Sequence, residues 1–352
     1  MNFIKTFLAG VLAFVAGSFL LFFFGLFLLI GIAASMEGSV KVDSGSILKI
    51  DLAEQIVDAP STDPLADFDF MSMQSTKKIS IMKALRAIEA AKDDDRIEGI
   101  YLRLNGGGGV VGTALLEELR AAIVDFKQSG KFVVSYNETY SQARYYLASA
   151  ADSIYLQPQG GMDWTGLSSS LMFYKGLLDK LDLKAEVFRP TACKYKSAVE
   201  PFILTKMSDA NRRQMQELVN SLWGTIAGEV AASRNIDVRE LNRLADKLEV
   251  SLPEEALQKG FVDGLLFEDQ MDDVFAALGV ESDKDGNYRF VTLGDYASQL
   301  PANLDFSSPQ VAVVYASGSI VDGEGSGDTI GGNSLARRLA DVREDEDVKA
   351  VL

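Results

Sequence analysis

The stretch that most constrains the fold is Ile97–Leu104, which runs straight into Asn105-Gly106-Gly107-Gly108-Gly109 and on to Thr113–Lys127. The first part reads as a strand. The last places Leu115, Leu116, Leu119, Ile123 and Phe126 on one side of a helix. The same alternation extends both ways. Upstream, Ile47–Leu52 alternates as a strand does, and Ile81, Leu85 and Ile88 fall at helical spacing before Asp93-Asp94-Asp95. Downstream come a strand over Phe132–Tyr136, a helix over Ser141–Ala151 and a short strand over Ser153–Leu156. A helix over Leu171–Leu181 and a strand over Ala185–Phe188 follow. Met215, Leu218, Val219, Leu222, Ile226 and Val230 form a helical stripe that reads as core, and Leu252–Asp263 reads as a helix and turn. Ala59–Lys78 and Gly279–Tyr288 read as loops. Such alternation predicts a parallel α/β core.

The glycine run admits two roles. It can present backbone N–H groups to an anion, or it can form a tight turn that needs positive φ. It lacks the Lys-Ser/Thr of a phosphate loop and the spacing of a dinucleotide fingerprint. A metal at Asp93–Asp95 is the weaker reading of those carboxylates, since acidic residues are common in helix-to-strand turns. The formal charge of -16 argues against nucleic acid, whose phosphates need clustered Lys and Arg. One cysteine excludes an internal disulfide, and without histidine no Cys/His zinc site can be assembled. No cofactor and no metal are called for.

Thr6–Met36 is uncharged and dominated by apolar residues. About 20 such residues suffice to span a bilayer as a helix. Lys5 precedes the run and Glu37 follows it, so the positive-inside rule places the start in the cytoplasm and the bulk outside. A cleaved signal peptide, with Ala33-Ala34-Ser35 at the cleavage site, is the competing reading. Its apolar region would ordinarily be about 7–15 residues, and an uncleaved anchor over residues 1–36 is the expectation.

The chemistry points to Cys193-Lys194-Tyr195-Lys196-Ser197-Ala198-Val199-Glu200-Pro201-Phe202. The stretch holds two lysines among small and apolar residues and closes on Glu-Pro, which breaks regular structure. Desolvation would favour the neutral amine, which can act as a base. With no histidine in 352 residues, serine chemistry cannot use a Ser-His-Asp triad, and lysine is the remaining base. A surface lysine pair is the bland alternative.

Tyr195–Phe202 resembles the lysine motif of the long-form signal peptide peptidase A family, also called protease IV. These are membrane-anchored bacterial Ser-Lys proteases. The resemblance implies that Lys196 is the general base; Lys194 lies outside the matched core, and Cys193 stands where the family usually has Gly. It also implies a fold of Clp-protease/crotonase-like units in tandem, with βαβ superhelical topology behind the transmembrane helix. The first unit supplies the lysine. The second supplies the serine from a loop of the type Asn-Ser-Pro-Gly-Gly-Ser. By the same match Val110 occupies the serine position of the first unit. Hydrophobic peptides such as signal peptides are the implied substrates, and a homotetramer in the bacterial inner membrane, with its bulk on the periplasmic side, is the implied assembly.

A repeat supports the tandem reading. Ile47–Asp58 is echoed by Val311–Asp322, the helix at Ile81–Ala91 by Leu335–Val342, and Asp95–Tyr101 by Glu346–Leu352. The second copy is thirteen residues more compact, a difference taken up in the loop. The expected organisation is an anchor over 1–36, a first unit over 45–298 and the start of a second over 308–352, which stops before its nucleophile loop. The serine nucleophile is therefore expected outside this chain. Ser197 is too close to Lys196 in sequence for attack geometry, and Ser168, Ser169 and Ser170 read as a helix cap. A catalytically inactive anchored partner is the alternative function. A crotonase-like acyl-CoA enzyme is disfavoured by the extracytoplasmic placement.

Overall fold

The structure is a computed structural model that describes residues 2–36, 42–59, 68–69, 74–75, 77–107, 109–110, 112–190, 192–301, 309–325 and 329–352. It divides into two compact units, Met1–Lys41 and Val42–Leu352. Most of the expected Ala59–Lys78 loop lies outside the described residues.

The first unit is one helix, α1 (Asn2–Met36). Its described apolar side chains, among them Leu12, Phe14, Leu20 and Leu21, are exposed. Side chains are described without interruption only over 10–25. Among the described residues, no helix is long and apolar enough to cross a membrane.

The second unit opens with β1 (Ser46–Ile50), β2 (Gln55–Val57) and the antiparallel pair β3 (Phe68–Asp69) and β4 (Gln74–Ser75). Next come β5 (Lys78–Ser80) and α2 (Ile81–Asp93). Ser80 caps α2 by accepting from the Lys83 N–H, and the helix buries Ile81, Ala84, Ala87, Ile88 and Ala91 on one face. Then follow β6 (Ile97–Leu102), α3 (Thr113–Phe126), β7 (Phe132–Tyr140), α4 (Gln142–Ala148) and β8 (Ser153–Met162). The strands at Phe132 and Ser153 run four and six residues further than their sequence pattern suggests. Their extensions pair with each other past an irregularity between Asn137 and Thr139, where alternation is lost and cannot be read.

The lysine region is mostly irregular. It holds α5 (Lys175–Lys180) and α6 (Glu200–Ile203). The helix expected over Leu171–Leu181 shrinks to α5, and the strand expected over Ala185–Phe188 is absent. Among the described residues, 167–173 and 184–189 make no backbone–backbone hydrogen bond. Apolar residues there mark an exposed surface, with Phe188 96% exposed and Met172, Leu177, Leu181 and Leu183 also open.

The chain then forms α7 (Asp209–Arg234), α8 (Val238–Lys247), α9 (Pro253–Gln258), β9 (Gly264–Leu265), α10 (Met271–Ala277), β10 (Arg289–Thr292) and α11 (Leu293–Gln299). Only the later part of α7 joins the core, through Ala227, Val230 and Ala231; Leu218 of the expected stripe is exposed. Buried Arg120 of α3 fastens that part, its Nη1 donating to Glu229 at 2.8 Å.

Six strands form one parallel sheet in the order β10-β1-β6-β7-β8-β9. Both faces are covered, as parallel sheets require. Leu48, Ile50, Ile100, Leu102 and Val133 face α2, α3 and their neighbours. The alternate positions Ile47, Tyr101, Val134 and Tyr136 pack on Met271 and Phe275 of α10.

The last segment repeats the first in hydrogen bonding as well as in sequence. It comprises β11 (Gln310–Ala312), β12 (Ser319–Val321), β13 (Thr329–Gly331), α12 (Gly332–Glu344) and β14 (Val348–Val351). β11 pairs parallel with β14, and β12 with β13, as β1 pairs with β6 and β2 with β5. Even the register irregularity recurs, after Ser46 in one copy and after Gln310 in the other.

Candidate active site

Lys196 sits in a tight turn. Its N–H donates to the Cys193 carbonyl at 3.0 Å, and its own carbonyl accepts from Arg189 Nη1 at 2.9 Å. The main chain is therefore fixed while the side chain is exposed, with no hydrogen bond or ion pair for Nζ among the described residues. The expected desolvation is not present in this chain. Ala198 is itself exposed and does not close over the amine. Lys196 lines an open depression of about 530 Å3 together with Tyr195, Arg213, Gln214 and Glu217. Lys194 places its Nζ 5.2 Å from the centre of the Tyr195 ring.

Glu-Pro does not end a regular element here. Pro201 lies in the first turn of α6, where its missing N–H costs nothing. Glu200 is 2% exposed, the only buried side chain described in the Cys193–Phe202 stretch. Its carboxylate accepts from Ser208 Oγ at 2.6 Å, from the Ser208 N–H at 3.1 Å and from Asn211 Nδ2 at 2.9 Å. Ser208 is also the N-cap of α7, accepting from the Asn211 N–H at 3.1 Å. Burial pushes the Glu200 carboxyl up, but the donors from Ser208 and Asn211 outweigh it and hold it below its ordinary value. Sequence reading missed this ring. The available signal was Ser208 three residues before Asn211 at a helix start. That Glu200 joins it is a tertiary fact.

Ser168 and Ser169 line a separate depression with Arg212, Met215 and Val219, which shares no wall residue with that of Lys196. They cap nothing, because α5 begins only at Lys175.

The glycine loop lies at the carboxyl ends of β1 and β6. Gly106 N–H donates to the Asp51 carbonyl at 2.7 Å and Gly109 N–H to that of Leu52 at 3.3 Å. Both are occupied, and Gly108 lies outside the described residues. The reading in which this loop presents its amides to an anion therefore fails for Gly106 and Gly109. They instead tie the loop to the segment after β1. Gly106 is required there, since a Cβ would stand 2.3 Å from Asp51 O. Val110 pairs with Ile56 and packs on the core. A cavity of about 500 Å3 opens beside this loop, bounded by Glu54, Lys77, Gly107 and Asp295. Burial raises the Glu54 carboxyl, opposed by Lys77 and reinforced by Asp295 and Asp51. Lys196 is not in its wall, and the base chemistry places the candidate site at the lysine turn.

Fold and site together define a parallel α/β protein with a histidine-free site built on a pinned lysine turn. Residues 125–280, which include that turn, match Peptidase family S49. The chain is 34% identical to Protease 4 of Salmonella typhi over 97% of its own length and 57% of the relative's. It is 35% identical to Protease 4 of Haemophilus influenzae, over 78% and 46%. It is 24% identical to a putative signal peptide peptidase SppA of Enterococcus faecium, over 69% and 70%. These likenesses support a peptidase of family S49, of the SppA type. It spans about half the length of the two Protease 4 relatives. Relatives named as proteases do not favour the inactive-partner reading.

Proposed function

We propose that this chain is the lysine-bearing part of a membrane-anchored serine endopeptidase with a Ser-Lys dyad, acting on residual signal peptides. The observation that carries the reading is Lys196. It stands on a turn whose main chain is fixed, inside the S49 region, in a chain with no histidine. The neutral Lys196 amine takes the proton of a serine Oγ supplied by a second Clp/crotonase-like unit that begins at residue 308. The oxygen attacks the peptide carbonyl to give a tetrahedral intermediate. The ammonium then returns the proton to the departing amine, and water, activated by the same amine, hydrolyses the acyl-enzyme. Substrate and the second unit closing over the open depression would supply the desolvation that the isolated turn lacks. The Gly106 and Gly109 amides are committed elsewhere and are not oxyanion donors.

The apolar run of α1 supports single-pass anchoring in a bacterial inner membrane with the bulk outside the cytoplasm. The exposed apolar surface around Phe188 supports a homo-oligomer, a tetramer by family resemblance.

The test is labelling of the full-length protein with a serine-reactive fluorophosphonate, alongside peptide hydrolysis. Lys196→Ala should abolish labelling and lower kcat/KM by on the order of 10²–10⁴. A Lys196→Ala protein that still labels and cleaves would remove lysine from the base role.

A further inference from the structure

We infer that Glu200 is a positioning residue for Lys196, acting through a closed hydrogen-bonded ring with Ser208 and Asn211. The inference rests on the proposed reading of Lys196 as the base.

The bonds inside the turn, Lys196 N–H to Cys193 O, Ser197 N–H to Tyr195 O and Glu200 N–H to Ser197 O, fix its shape. They do not fix its place, because all of them run within the turn. Arg189, which holds the Lys196 carbonyl, belongs to the irregular stretch just before it. Tyr174, whose N–H donates to Pro201 O at 2.7 Å and whose ring stacks on Phe202, belongs to the exposed segment around α5. Glu200 is different. Its partners are the first residues of α7, and the far part of α7 is bolted to the core by Ala227, Val230, Ala231 and the Arg120–Glu229 pair. The line from core to lysine thus runs along one rigid helix, across the ring, and through four residues of turn.

The ring uses both carboxylate oxygens. Oε1 takes the Ser208 hydroxyl; Oε2 takes the Ser208 N–H and the Asn211 amide. Glutamine has the same shape but cannot serve as well. With its carbonyl oxygen at the Oε2 place, its NH2 faces Ser208 Oγ, and the Ser208 hydroxyl proton loses the Oε1 acceptor it has in the wild type. The ring loosens while the turn keeps its internal bonds, and Nζ loses a defined place relative to α7. Proton transfer from a positioned serine is sensitive to that, since a shift of about 1 Å can cost roughly a hundredfold.

The experiment compares full-length wild type, Glu200→Gln, Ser208→Ala and Lys196→Ala in peptide hydrolysis. In parallel, reductively 13C-methylated lysines are followed by NMR, with the Lys196 signal assigned by its loss in Lys196→Ala. Glu200→Gln should lower kcat by roughly 10–100-fold with KM changed less than about twofold. Its Lys196 signal should shift or broaden, and Ser208→Ala should do the same to a smaller degree. Melting temperatures show that each variant is folded. Wild-type kcat and an unmoved Lys196 signal in Glu200→Gln, with Lys196→Ala inactive, would overturn the positioning role and leave the dyad standing. A loss of activity that follows melting temperature alone, with that signal unmoved, would also overturn it. Full activity in Lys196→Ala would bring down the dyad and the positioning role together.

Discussion

Single residues in this chain divide sharply into those the backbone demands and those it tolerates. Gly106 and Gly107 are neighbours in sequence with opposite surroundings. A Cβ on Gly106 would meet Asp51 O at 2.3 Å; one on Gly107 would meet nothing within 4 Å. Gly106→Ala should therefore destabilise the protein by about 3 kcal/mol, while Gly107→Ala should change stability by less than about 0.5 kcal/mol. Urea unfolding of the two variants checks this, and equal effects would mean that the loop is not held against the segment after β1. The glycine run was legible as a turn, but which glycine is indispensable was not. That depends on how close the carbonyl of the segment after β1 comes. Lys196 stood out as a candidate base for the opposite reason: its motif is local and the missing histidine leaves few bases. Its exposure was not legible, because small apolar neighbours read the same whether or not they close over an amine.

Among the elements, the turn from α2 into β6 shows how a run of carboxylates can serve structure. The Asp94 carboxyl is held at about 2 by the Arg96 guanidinium first, with burial opposing and the Arg96 N–H and the Tyr296 hydroxyl adding. It accepts from Arg96 Nη2 at 2.7 Å and from the Tyr296 hydroxyl at 2.9 Å. The corresponding Asp345 accepts from the Asp347 N–H at 3.0 Å, as Asp94 does from the Arg96 N–H. A carboxyl whose folded pKa is depressed stabilises the fold fully above its unfolded value, near 3.8, and loses that contribution as pH falls toward 2. Asp94→Asn should therefore lower stability at neutral pH and remove part of the acid-induced loss between about pH 4 and pH 2. Stability curves at a series of pH values that stay parallel for the two proteins would refute that. Helices and strands were legible wherever apolar period and core coincide, as in α2, α3 and β6. Reading failed over Ala185–Phe188 and along the early part of α7, where apolar residues face outward. Periodicity reports that a face is apolar; it does not say what covers it.

At the scale of the whole molecule, the paired strands of the last segment repeat those of the first down to one irregularity of register. That likeness was legible because its strands, helix and charged turn keep their order and spacing. The exposed segment around Phe188 was not legible as a surface. On the oligomeric reading it is an interface. Phe188→Asp combined with Leu183→Asp should then lower the sedimenting mass of the detergent-solubilised full-length protein from oligomer to single subunit. An unchanged mass would place the contacts elsewhere. The same segment has a second consequence. Irregular chain with open apolar side chains is what an endopeptidase can thread and cut; among the described residues 184–189 makes no backbone–backbone hydrogen bond and holds Phe188 open. If the endopeptidase and oligomeric readings both hold, an unassembled subunit would display, a few residues from its own lysine, a stretch resembling its substrate, and covering by a neighbour would shield that stretch from self-digestion.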